Sequence, residues 1–144
     1  EIIKDGFDIS YYIPVFGTAD SNIAIVKAMS QIMSSVADIF FSKRYDYCLV
    51  AGDRFESLAA VTAAFYSDVP VAHVQAGERS GNKDDSARHS IARLASLHFC
   101  SNDDAKLRLE KSGEQLWRIH NTGAPQLDGI SRFIQKKRRL KKKF

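Results

Sequence analysis

Between residues 46 and 121, short apolar runs alternate with helix-length segments, and that alternation limits the chain to few folds. Residues 46–51 (DYCLVA) are nearly all apolar and read as a buried parallel strand. An alanine-rich helix over 55–66 follows, then a strand over 69–74 and a helix over 84–96 with Ile91, Leu94 and Ala95 on its apolar face. A short strand over 97–100 leads to a helix over 102–112, with Ser101 placed to cap it and Gly113 to stop it. A strand over 116–121, a Gly123-Ala124-Pro125 turn and a last helix from about Gln126 complete the series. Upstream, residues 11–16 form a short β-rich run. Residues 21–41 carry apolar side chains at helical spacing, with Asp20 or Ser21 as the cap.

Strands separated by helices of this length imply βαβ units and a parallel sheet. Right-handed crossovers then give an α/β, doubly wound, Rossmann-like layer. Ligands of such layers bind at the carboxyl ends of the strands. That rule selects residues 51–56, 74–84 and 121–125.

The bulk numbers narrow the partners. A chain of 144 residues suits one domain. The net charge of +4 conceals a division: eight basic residues and no acid lie in 132–144, and subtracting those eight charges from +4 leaves −4 for the rest. The expected organisation is a domain over 1–130 and a basic helix or tail over 131–144. Such a tail can draw nucleic acid or an anionic membrane, and a solvated helix end has the same composition. No apolar run is expected to span a bilayer, and the first residues do not read as a signal peptide. Cys48 and Cys100 each sit in an apolar run, where buried free thiols in a reducing cytoplasm are expected. Two cysteines without paired spacing argue against a zinc site.

Gly52 closes the first buried strand, Asp53 and Arg54 follow, and a helix starts at once. A helix N-terminus offers unpaired N–H groups to an anion, and arginine pairs phosphate through two hydrogen bonds. Asp53 would serve equally as a simple N-cap. Neither the three-glycine dinucleotide fingerprint nor a P-loop is present. The loop from His73 to Asp84 is longer than a mere connection needs, and it holds two glycines and several charges. Asp84 or Asp85 could cap the next helix, Arg88 could pair with either, and His73 could be a strand-end histidine satisfied by the backbone. His98 and His120 fall within strands and read as structural. Asp53, Glu78 and Asp84 would together bring three carboxylates to one sheet edge, enough to supply both an acid and a base.

The segments GDRFESLA (52–59), PVAHVQAGERSG (70–81), DDSARHSIARLASLHF (84–99) and GAPQLDGI (123–130) carry a specific pattern. In order and spacing they resemble the N-terminal domain of the hydrolysing UDP-N-acetylglucosamine 2-epimerases of sialic acid biosynthesis. The resemblance implies one half of a GT-B-like two-domain enzyme with its site in the cleft between domains. It implies conversion of UDP-GlcNAc and water to ManNAc and UDP through C2 deprotonation and loss of UDP, with no metal or redox cofactor. It also implies a homo-oligomer, a first strand ahead of this segment, a C-terminal domain with the uridine site, and no activity from this segment alone. By the same resemblance Asp53 and Asp84 are catalytic acids, Arg54 is a nucleotide contact, and His73, Arg88 and His89 serve substrate binding. The third acid of the family pattern falls on Gln75, which has no titratable proton. Glu78, three residues on, is the candidate to replace it. A non-hydrolysing epimerase making UDP-ManNAc, or a non-catalytic nucleotide- or nucleic-acid-binding relative, are the alternatives.

Overall fold

The computed structural model describes residues 1–15, 21–81 and 83–130. The basic tail over 131–144, the Asp20 cap and the end of the 11–16 run lie outside the described residues.

Four parallel strands form the sheet: β1 (Cys48–Ala51), β2 (Val71–Val74), β3 (Leu97–Cys100) and β4 (Ile119–Asn121), in the order β1-β2-β3-β4. The register pairs Cys48 with Val71, Ala72 with Leu97 and His98 with Ile119. The helices are α1 (Asn22–Ser42), α2 (Phe55–Tyr66), α3 (Lys83–Leu94) and α4 (Asp103–Lys111). This is the Rossmann-like α/β layer expected. Its four strands step in one direction, as one wing of a doubly wound sheet does.

Two clusters make the core. Val61, Ala64, Val69, Val71, Ile91 and Ala95 join α2, α3 and β2, with Cys48 and Val50 packed against them. Ala76, Ala92, Cys100, Ala105, Leu109 and Ile119 join α3, α4, β3 and β4. α1 lies on α2 and buries Ala28 and Ile32. At the N-terminal ends of β3 and β4, the buried Glu114 carboxylate meets Arg93 at 2.9 Å, His98 at 3.3 Å and Arg118 at 3.4 Å. Arg118 also donates to the carbonyls of Ala95 and Ser96, which ties α3 to the start of β4.

Several local expectations change. Residues 11–15 form no strand. The first strand begins at Cys48 and the second at Val71, and Leu116–Arg118 is a 3-10 turn that delays β4 to Ile119. β1 is also less buried than its composition implied. It is an edge strand among the described residues, as β4 is, and Leu49 on its uncovered face is 69% exposed. Asn102, not Ser101, caps α4, its side-chain Oδ1 accepting from Ala105 N–H at 2.8 Å. α1 is long and apolar enough to cross a membrane by length and composition, contrary to the reading that no run is. It packs against α2, yet only 11% of its apolar stretch is buried among the described residues, and Ile23, Val26 and Phe41 are exposed.

Candidate functional site

The site forms where β1 and β2 end. Gly52 takes φ +86°, a left-handed turn that a glycine enters without a Cβ clash. The turn is held from below by His73. That ring is fully buried, and its Nε2 lies 2.9 Å from the Gly52 carbonyl oxygen. A carbonyl only accepts, so Nε2 carries the proton and donates. His73 therefore reaches the site through the turn and offers no surface to a ligand in this structure.

Burial, the largest cause, lowers the His73 pKa from 6.5 to about 4 against the opposing pull of the Gly52 bond. The unfolded chain then binds more protons than the folded one between these values. Stability is full above about pH 6.5 and falls as pH drops toward 4, by on the order of 3 kcal/mol for this residue. Burial shifts His98 in the same direction. His73→Gln is expected to flatten the dependence of the urea midpoint on pH between 6.5 and 4, leaving the part that His98 supplies. An unchanged slope would remove His73 as its source.

Asp53 is not the cap of α2. Arg54 occupies the N-cap position, and no side chain caps the helix. The Asp53 carboxylate turns to α3 instead, where Arg88 Nη2 donates to Oδ2. Arg88 is the buried partner here, only 6% exposed. Its Nη1 stands 3.9 Å from Glu78 Oε2. Asp53 and Glu78 thus meet on one guanidinium. Arg54 points outward, its side chain 66% exposed, 3.3 Å from Glu56 and over the Phe55 ring. An exposed arginine beside an uncapped helix start suits an anionic ligand.

The loop after β2 is fastened at several points. Gln75 adopts φ +62°, a left-handed conformation unusual for a residue with a side chain. Ala76 N–H donates to Phe99 O at 3.2 Å. Gly77, at φ +76°, presses on α4, and Arg108 donates to its carbonyl oxygen. Asp85 closes the far end. It accepts from Ser80 N–H at 2.6 Å, Gly81 N–H at 2.8 Å and the Ser80 hydroxyl at 2.9 Å. The Ser80 and then the Gly81 backbone N–H groups hold its pKa down at about 2. Asp85 therefore clasps the loop rather than capping α3. Arg88 pairs with Asp53 rather than serving only Asp84 or Asp85.

Asp84 sits in the first turn of α3 and lines a separate cavity of about 340 Å³ with Phe55, Ile25 and Ala87. His89 is exposed on the same helix. A larger crevice of about 490 Å³ opens beyond Glu78, between Arg79, Ser101, Arg108 and Ala124. Among the described residues, no three His, Cys, Asp or Glu side chains are grouped to hold a metal ion. The sequence reading missed Arg108 and the clasp made by Asp85. Arg108 lies 31 positions from Gly77, and no motif signals that contact.

Fold and site together define a Rossmann-like layer of the GT-B type, with acids and an exposed arginine at the carboxyl ends of its strands. The chain belongs to the UDP-N-acetylglucosamine 2-epimerase family, whose sequence model matches residues 1–144. It is 38% identical over 133 residues to a Legionella pneumophila UDP-N,N'-diacetylbacillosamine 2-epimerase (hydrolyzing), covering 92% of this chain and 35% of the relative. It is 42% identical over 83 residues to a Neisseria meningitidis UDP-N-acetylglucosamine 2-epimerase, covering 58% of this chain and 22% of the relative. Among solved structures, a Neisseria meningitidis UDP-GlcNAc 2-epimerase bound to UDP-GlcNAc superposes with a TM-score of 0.81 at 25% identity. That match covers 94% of this chain and 37% of the solved one. A Staphylococcus aureus protein in co-structure with UDP gives 0.80 at 25% identity, covering 90% and 35%. The chain spans about a third of the length of the Legionella relative and of these two solved chains.

Proposed function

We propose that this chain supplies the N-terminal wall of a hydrolysing UDP-GlcNAc 2-epimerase site. The observation that carries the reading is the meeting of Asp53 and Glu78 on Arg88, beside the exposed Arg54 at the uncapped start of α2. In the proposed reaction a carboxylate takes the C2 proton of the sugar. The C2–H electron pair forms a C1–C2 double bond as the C1–O bond to UDP breaks. Water then adds at C1, and C2 takes a proton on the opposite face, which gives ManNAc and UDP. Two carboxylates of different exposure suit this division of labour: Asp53 as base and Glu78 as the second acid, in the role that Gln75 cannot fill. Arg54 and the first N–H groups of α2 would face the diphosphate. A UDP sugar with two N-acetyl groups is the second reading, favoured by relatives of 38% and 35% identity named for UDP- or GDP/UDP-N,N'-diacetylbacillosamine. On either reading the protein works in the cytoplasm, where nucleotide sugars are made, and residues 1–144, which span about a third of the Legionella relative, are expected to be inactive alone.

The test is product analysis of a chimera in which this chain replaces the matching third of the Legionella relative. Free ManNAc with UDP supports the reading. UDP-ManNAc would show a non-hydrolysing enzyme, and turnover only of the diacetylated sugar would establish the second reading.

A further inference from the structure

Arg88 was expected to touch substrate, but its setting argues for a different task. The side chain is only 8% exposed. It projects from α3 between two loops that belong to different strands, and it meets a carboxylate from each. Its Nε is buried without a partner. The two carboxylates are held unequally. Asp53 Oδ2 accepts a direct hydrogen bond, whereas Glu78 stands at 3.9 Å, beyond hydrogen-bond range. A guanidinium is planar with fixed N–H directions, so it dictates where the two carboxylates can lie.

We propose that Arg88 is a positioning residue that fixes Asp53 and leaves Glu78 detachable, so that Glu78 is the carboxylate that moves when substrate enters. The inference rests on the epimerase reading of the site. Three observations support it. The bond to Arg88 commits Oδ2 of Asp53 and leaves Oδ1 for the reacting proton. The backbone around Glu78 is pinned on both sides, by Arg108 at Gly77 and by Asp85 at Ser80 and Gly81. Motion of Glu78 is therefore a side-chain rotation rather than a loop opening. Arg54 and Arg79 are both exposed arginines at this edge, so the anion-binding role needs no contribution from Arg88.

Steady-state kinetics of the chimera separate positioning from substrate contact. Arg88→Ala is expected to lower kcat by about 100-fold with KM for the UDP sugar nearly unchanged. Arg88→Lys keeps the charge without the fork and is expected to recover about tenfold of that loss. A rise in KM at unchanged kcat would make Arg88 a substrate contact and overturn the proposal. Should Arg88→Ala fail to fold, the same comparison is read from Arg88→Lys. Hydrogen exchange on the 144-residue chain gives a readout independent of activity. Loss of Arg88 is expected to speed exchange at residues 52–54, held directly, more than at 77–81, pinned elsewhere. Equal or reversed effects would contradict the unequal grip. An inactive wild-type chimera with the expected exchange pattern would remove the epimerase reading and leave the unequal grip standing.

Discussion

Asp53→Asn in the chimera is expected to cut turnover by about 10²- to 10⁴-fold while the fold persists. The amide has the shape of the carboxylate, and its oxygen can still accept from Arg88, so the bridge from β1 to α3 survives in weakened form. What it loses is the capacity to take a proton from carbon. The Gly52 turn is held independently by His73, which keeps the side chain where the wild type has it. Circular dichroism and a urea midpoint measured beside the rate separate the two effects. A wild-type rate in a folded Asp53→Asn protein would remove Asp53 from the reaction.

Gly77→Ala is expected to be strongly destabilising. An added Cβ would lie 2.5 Å from the Ala105 carbonyl oxygen and 2.9 Å from Leu109 Cγ. The first neighbour is helix backbone, which cannot rotate away. The φ of +76° adds the left-handed penalty of about 1–2 kcal/mol for a side chain. Overpacking adds about 1–3 kcal/mol. The sum, about 2–5 kcal/mol, is a large part of the 5–15 kcal/mol that holds a typical domain. With a urea m-value of about 1–3 kcal/mol per molar, the unfolding midpoint falls by about a molar or more. Gly81→Ala is the matched control: it has the same sign of φ, +78°, with nothing within 4 Å of the added Cβ. Equal midpoints for the two variants would show that the contact with α4 is not tight.

Much of this architecture was legible in the sequence because period and punctuation agreed. The helix over 55–66 matched residue for residue, since Gly52 before it and the Ser67-Asp68 turn after it leave little choice. The strand over 97–100 matched as well. Composition failed where the local signal was ambiguous. DYCLVA promised burial on both faces, yet Leu49 is exposed, because burial depends on what lies against a strand. Asp53 looked like a cap because aspartate before a helix usually is one. Its partner Arg88 lies 35 positions away, and only the fold brings them together. Asp85 had the same ambiguity: a helix-start residue by position, it is a loop clasp by geometry. Gln75 was legible only as a departure from a pattern. Its positive φ shows that the chain bends sharply there, carrying Glu78 to Arg88.

On the proposed function, this wall of the site serves proton exchange at C2 of a UDP sugar. Running the chimera in deuterium oxide and weighing the product tests it directly. One deuterium is expected at C2 of released ManNAc, introduced when C2 is reprotonated from solvent. Epimerised product that retains its original C2 hydrogen would contradict this role, since no carboxylate in this site would then have exchanged that proton.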